Sequence, residues 1–272
     1  MNKRAKLTVD ELRELAAFAE ELAEIAGAVI LPYFRRPLTV DNKLGAAGFD
    51  PVTEADRAAE TAMRRHIAAR FPDHGVLGEE HGLTPGRSPL TWILDPIDGT
   101  RAFMCGMAQW GSLIALNDGA APVLGVLDQP FMQERWIGFG GMASFRSRDG
   151  MSKLRTRNCV SIAQATLTTT SPFGYFTDEE RRAFFALADR AQLTRYGGDC
   201  YAYGLLAMGT IDLTLEAALK PWDIQALIPI IEGAGGVVTG WDGTDASQGG
   251  RILACGDPRL HAAVVDLLRT SI

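Results

Sequence analysis

A stretch of concentrated positive charge is missing from this chain. Its 27 lysines and arginines are outnumbered by 33 acidic side chains, giving a net charge of −6. With no cationic stripe to neutralise a phosphate backbone, nucleic acid is excluded as the main partner. Cysteine is scarce as well. Cys105, Cys159, Cys200 and Cys255 are far apart and form no Cys-x-x-Cys pair. That excludes a zinc knuckle or redox motif and predicts free thiols in a reducing cytoplasm. The histidines, His66, His74, His81 and His261, lack metal-ligand spacing and are assigned to packing. There is no G-x-S-x-G elbow and no P-loop lysine pattern. No apolar run reaches transmembrane length, and the basic Met1 to Lys6 leads into a Glu-rich amphipathic segment rather than a signal-peptide core. No membrane partner is expected.

What is present is enough apolar material, 47% of the chain, to bury a full core in one large domain or two tightly joined ones. Thr8-Val9-Asp10-Glu11 reads as a capping box opening a helix with Leu12, Leu15, Ala19, Leu22 and Ala26 on one face, ended by Pro32 and Pro37. A loop with Lys43, Gly45 and Gly48 follows. A second capped helix starts at Thr53 to Asp56 and closes at Phe71-Pro72. Strands are predicted at 76–77, 92–94, 112–116, 122–127 and 135–139, with Asn117-Asp118-Gly119 as a hairpin turn. The polar stretch 144–152 is the expected boundary between an N-terminal half, 1–150, and a C-terminal half, 151–272. The second half alternates: strand 167–170, helix 178–190, helix 201–208, strand 211–215, helix 223–232, strands 237–238 and 252–254, and helix 258–268. The fold class is layered α/β, mostly antiparallel first and mixed afterwards.

The chemistry concentrates in Asp95-Pro96-Ile97-Asp98-Gly99-Thr100, where two carboxylates three positions apart follow the apolar run Trp92-Ile93-Leu94. Asp-Pro and Asp-Gly also suit a plain polar turn. Two further segments favour a metal: Gly78-Glu79-Glu80 after Val76-Leu77, and Pro221-Trp222-Asp223 at the start of an apolar helix. Hard divalent cations take several oxygen ligands, and carboxylates from three element ends can supply them. Asp223 also suits a helix N-terminus, and the two roles are compatible. Gly99-Thr100 can open a helix whose first N–H groups face an anion, with Thr100 either its N-cap or an orienter of water. Asp56 is otherwise an ordinary third-position acid behind the Thr53 cap. The reaction suggested is metal-assisted hydrolysis of a phosphate ester.

Together these segments resemble the inositol monophosphatase superfamily of Mg²⁺-dependent, lithium-sensitive phosphatases. The resemblance runs through Asp50-Pro51-Val52-Thr53-Glu54-Ala55-Asp56, Gly78-Glu79-Glu80, the Trp92 to Thr100 segment, Lys220-Pro221-Trp222-Asp223 and Glu232-Gly233-Ala234-Gly235-Gly236. It implies an αβαβα sandwich, a homodimer, and two or three Mg²⁺ per site. Its implied metal ligands are Glu79, Asp95, the Ile97 carbonyl, Asp98 and Asp223, with Asp56 as ligand or orienter at a weaker third position. Gly99 and Thr100 are the implied phosphate contacts. Glu79, or Thr100 with Asp56, would orient the nucleophile.

Arg101-Ala102-Phe103, Gly197-Gly198-Asp199-Cys200-Tyr201-Ala202-Tyr203 and Glu216 to Asp223 are most similar to the histidinol-phosphate phosphatases of the histidine pathway. The inositol enzymes typically carry a small residue where this chain places Asp199. Asp199 and Glu216 could pair with a substrate ammonium, whereas an inositol ring offers only hydroxyls. Asp199 could instead cap the helix that follows it. The expected partner is therefore a small phosphate ester, histidinol phosphate before an inositol, sugar or nucleotide-bisphosphate substrate. A non-catalytic metal- or phosphate-binding protein is the reading from another class.

Overall fold

The computed structural model describes residues 4–43 and 51–271; Gly45, Gly48 and Asp50, singled out above, lie outside them. Thr8 caps α1 (Val9–Ile30) with a complete box: Glu11 N donates to Thr8 Oγ1 and Thr8 N to Glu11 Oε2. The face carrying Leu15, Ala19, Leu22 and Ala26 is buried. After a short antiparallel pair, β1 (Val40–Asn42) and β2 (Pro51–Thr53), Thr53 opens α2 (Glu54–Arg70) with a second box closed by Asp56.

The first sheet holds β3 (Gly75–Gly78), β4 (Gly82–Thr84), β5 (Thr91–Asp98), β6 (Gly111–Asn117), β7 (Pro122–Gln129), β8 (Glu134–Phe139), β9 (Met142–Ser147) and β10 (Gly150–Lys153). Their order is β10-β9-β8-β7-β6-β5-β3-β4, antiparallel throughout except for the parallel pair β3–β5. A five-residue helix, α3 (Thr100–Met104), follows β5. Then come β11 (Thr166–Thr169), α4 (Pro172–Tyr175), α5 (Asp178–Ala188), β12 (Leu193–Tyr196), α6 (Asp199–Ala207), β13 (Leu213–Leu219), α7 (Pro221–Ile224), α8 (Leu227–Gly233), β14 (Val237–Gly240), β15 (Gly250–Cys255) and α9 (Pro258–Ser271). The second sheet, β12-β11-β13-β15-β14, is mixed.

Three cores tie these into the expected αβαβα sandwich. Leu22, Ile30, Met63 and Ile67 of α1 and α2 cover Trp92, Leu94, Ile114 and Val126 on one face of the first sheet. On its other face Ile93, Leu113, Leu127 and Trp136 meet Leu206, Ile224 and Ile230 of α6, α7 and α8, which also cover Val238 and Ile252 of the second sheet. Leu167, Leu213 and Leu253 face α5 and α9 beyond. Neighbours Trp92 and Ile93 thus enter opposite cores, as the two-residue strand period requires.

Three local expectations differ from the structure. The polar stretch 144–152 is not a linker but part of the β9–β10 hairpin, and β10 itself covers residues 150–153. Every residue of β10 is exposed, so its polarity marks a sheet edge rather than a loop. The helix expected over 223–232 is two helices, α7 and α8. Pro229 has no N–H to offer the Gln225 carbonyl four residues back, and the helix breaks there. The edge strand β12 carries no apolar alternation that would have announced it.

Candidate active site

β3 and β5 run parallel in register, Gly78 beside Leu94, and Glu79 N donates to Leu94 O at 3.2 Å. Glu79 and Asp95 therefore leave the sheet side by side at the same strand ends. Asp95 and Asp98 need one more device, because residues three apart on a regular strand point to opposite faces. The β5–β6 register supplies it: Asp95 pairs with Leu113 and Asp98 with Gly111, one extra residue on β5. That bulge brings both carboxylates to one side. Ile97 N donates to Asp95 Oδ1 at 3.1 Å and Ser112 Oγ to Pro96 O at 2.7 Å, fixing the bulged loop.

Asp223 arrives from the other sheet as the third residue of α7, where its Oδ2 accepts Lys220 N at 2.7 Å. Carboxylate oxygens of Asp95, Asp98 and Asp223 lie within 4.8 Å of one another. Burial raises the pKa of all three, and neighbouring carboxylates, Glu79 among them, add to it: Asp98 is pushed up to about 6, Asp95 and Asp223 well above the carboxylate range. Buried carboxylates this close need a partner charge, and this all-oxygen donor set fits a hard dication.

The three acids line a cleft of about 700 Å³ together with Glu79, Ile97, Gly99, Thr100, Asp199 and Glu216. Of the predicted site residues, only Asp56 is absent from the wall. It lies buried behind it, its Oδ2 accepting Thr53 N at 2.9 Å and Thr53 Oγ1 at 2.5 Å. Burial pushes Asp56 up to about 6, and the Glu79 charge adds to the rise. Glu79 stands outside the aspartate triple and pairs with Lys43 at 2.8 Å.

Gly99, not Thr100, is the N-cap of α3. Its φ is +86°, and a Cβ there would come within 2.7 Å of Gln109 O, so only glycine fits. Thr100 Oγ1 donates to Ile97 O at 3.0 Å, which leaves its oxygen lone pairs to accept from a water. Asp199 is the first residue of α6 and makes no cap with its side chain; the N-cap is Gly198. Its backbone is left-handed (φ +42°), and the freed Cys200 N donates to Asp98 Oδ2 at 2.6 Å. Burial, with Asp98 and Glu216 adding, pushes Asp199 up to about 8 against the opposing pull of Arg101.

Glu216 is held from β11: Thr170 N at 2.6 Å, Thr170 Oγ1 at 2.8 Å and Thr169 Oγ1 at 3.1 Å all donate to it. Burial pushes it up to about 7.

Several contributors were given no role by the sequence. Lys43 pairs with Glu80 at 2.6 Å as well as with Glu79. Glu60 of α2, fully buried, accepts Glu80 N at 2.7 Å and His81 N at 3.2 Å while pairing with Arg64 at 2.6 Å. It fixes the loop that carries Glu79, and Gly78 is needed there because a Cβ would sit 2.1 Å from Glu60 Oε1. Arg101 lies 4.8 Å over the Tyr175 ring at the far wall. For Glu60 the available signal was an acid on the apolar stripe Ala59-Met63-Ile67 of its helix.

Two sheets thus bring carboxylates to a shared cleft in an αβαβα sandwich, a donor set that suits metal-assisted hydrolysis. Comparison with known proteins narrows this. The model of the inositol monophosphatase family matches residues 11–272, and the chain belongs to that family. It is 40% identical to the chloroplastic bifunctional phosphatase IMPL2 of Arabidopsis thaliana, across 97% of this chain and 78% of the relative. It is 35% identical to a histidinol-phosphatase of Mycobacterium tuberculosis, across 88% and 90%. A solved inositol monophosphatase from Zymomonas mobilis superposes with a TM-score of 0.84 at 40% identity, covering 94% of this chain and 98% of the other.

Proposed function

We propose that this protein is a Mg²⁺-dependent phosphatase that hydrolyses L-histidinol phosphate to L-histidinol and phosphate, a step of histidine biosynthesis. The observation that carries the substrate is the pair Asp199 and Glu216 on the cleft wall beside the aspartate triple. An anionic wall next to a phosphate site suits an ester whose leaving group is a cation. Names of relatives point the same way, among them the mycobacterial histidinol-phosphatase.

Asp95, Asp98 and Asp223, with Glu79 and the Ile97 carbonyl, would hold two or three Mg²⁺, and Asp56 would steady the weakest position from behind. Bound Mg²⁺ supplies Lewis acidity toward phosphoryl oxygens and a more acidic water. Gly99 and Thr100 receive the phosphate at the start of α3. Thr100 with Asp56, or Glu79, orients the attacking water. Asp199 and Glu216 hold the substrate ammonium.

The working assembly is taken as a homodimer in a reducing cytoplasm, in keeping with four free cysteines. No helix among the described residues is long and apolar enough to cross a membrane. The test is kcat/KM with Mg²⁺ on histidinol phosphate, inositol 1-phosphate and an aryl phosphate. Histidinol phosphate should lead. Preference for the inositol ester, which the Zymomonas likeness favours, would replace the substrate. No metal-dependent phosphate release from any ester would leave a binding protein.

A further inference from the structure

Three buried polar atoms have no hydrogen-bond partner among the described residues: Trp110 Nε1, Trp136 Nε1 and the Tyr203 hydroxyl. The two indoles sit in the cores on either face of the first sheet, away from the cleft. Tyr203 is different. Its ring packs in the second core and is 3% exposed, yet the residue lines the cleft. It follows Asp199 by four positions on α6, which places both on one helix face. Glu216, Asp98 and Asp223 act on its hydroxyl through their charge.

A buried hydroxyl without a partner is costly and uncommon in folded proteins. Tyr203 can donate, whereas the ionised carboxylates of Asp98, Glu216 and Asp223 that act on it can only accept. Asp199 and Glu216 can receive an ammonium, which can also donate to the Tyr203 oxygen, but an ammonium offers no acceptor for the Tyr203 O–H. A neutral imidazole does, through its unprotonated ring nitrogen.

Resting on the reading of the site given above, we infer that Tyr203 is a specificity-determining donor for an acceptor nitrogen on the substrate's leaving group. The site then takes esters whose leaving group carries both a cation and a neutral heterocycle. A simple aminoalkyl phosphate satisfies only the first requirement.

The test compares the full chain and Tyr203→Phe, both with Mg²⁺, on histidinol phosphate and on 3-aminopropyl phosphate. The ratio of their kcat/KM values should fall about tenfold in the variant, the usual worth of one such hydrogen bond. The melting temperature should hold or rise, because no described residue bonds this hydroxyl. An unchanged ratio overturns the inference. So does a lowered melting temperature with both esters losing rate in parallel, which would mark a structural bond. If the wild type itself prefers 3-aminopropyl phosphate, the histidinol phosphate reading falls and this inference with it. If the wild-type preference survives intact in the Phe variant, Tyr203 alone loses its role.

Discussion

Each sheet carries a bulge beside acids of the cleft, but the two bulges treat their carboxylates differently. On β5 the extra residue lies between Asp95 and Asp98; on β13 it lies between Glu216 and Leu219, where Glu216 pairs with Ile252 and Leu219 with Gly250. Beside the first bulge, Asp95 and Asp98 each accept one recorded backbone N–H, from Ile97 and Cys200. Beside the second, Glu216 accepts three donors from Thr169 and Thr170. A carboxylate has about four acceptor sites. The β5 acids keep most of theirs open, as ligands of a hard cation must. Glu216 has little capacity left and is fixed as a rigid acceptor. On the function proposed above, the bulge at β5 serves a metal and the bulge at β13 a substrate group.

The harshest way to break this contrast is Asp98→Asn. On the metal side it should cut kcat/KM for every ester by more than about a hundredfold, since even indirect partners of metal ligands cost 10–100-fold. The fold should survive, because the amide oxygen can still receive Cys200 N and one repelling charge is gone. Phosphate release from an aryl phosphate, with a thermal melt of the same sample, checks both halves. Near-normal turnover would remove Asp98 from the metal set.

On the substrate side, Asp199→Asn should be selective. A charge-assisted hydrogen bond to an ammonium contributes about 1.5–3 kcal/mol, or roughly ten- to a hundredfold in kcat/KM. That loss should fall on histidinol phosphate and spare an aryl phosphate. Stability should change little, since the side chain makes no cap on α6. Parallel losses on both esters would sink the distinction between the two walls.

The contrast also explains what could be read in advance. Asp95, Asp98, Glu79 and Asp223 were legible because each follows or opens an apolar element, and that pattern survives in sequence. The sandwich was legible for the same reason: α1, α2 and the central strands have clear periods and complete caps. The bulges were not legible. A one-residue register shift is set by the partner strand, so nothing local in Asp95 to Asp98 states that both acids face one way. Glu60 and Tyr203 escaped because a polar group in an apolar stripe reads as a surface residue until packing shows what it faces. β10 and Pro229 misled for the opposite reason, since exposure and a missing N–H imitate a boundary and hide a break.

The charge imbalance has a pH consequence. Asp199 is raised to about 8 and Glu216 to about 7, and Asp95 and Asp223 are raised well above the carboxylate range, all chiefly by burial. These acids hold protons in the folded state that the unfolded chain has released. Their contribution is complete below the unfolded carboxylate range and is lost as pH rises through the folded values. Between pH 6.5 and 8.5 the metal-free protein should therefore lose stability, by about 1.4 kcal/mol per pH unit for each extra proton held. His74 and His261, held low by burial, and Asp118 and Glu180, held low by Arg4 and Arg251, are shifted the other way and add no held proton. Melting temperature in chelator should drop by several degrees over it. Mg²⁺ should restore more at pH 8.5 than at 6.5, because it binds the ionised form. A flat melting profile in chelator would mean that the acids are already ionised and paired within the protein.

The smallest effect sits at the second bulge. Beside the first, the left-handed position is a glycine, Gly99; within the second it is Ala218, with φ +63°. An L-residue in that region costs about 1–2 kcal/mol. Glycine removes the strain but loses about 0.5–1 kcal/mol through the freer unfolded chain. Ala218→Gly should thus stabilise by no more than about 1.5 kcal/mol, read as a slightly higher denaturation midpoint at constant m-value. If the alanine serves to hold Glu216 rigid, the variant should also lose part of its preference for the cationic ester while aryl phosphate turnover stays put. A gain in stability with that preference unmoved would show that Thr169 and Thr170 alone fix Glu216, and that the strained alanine contributes nothing to its position.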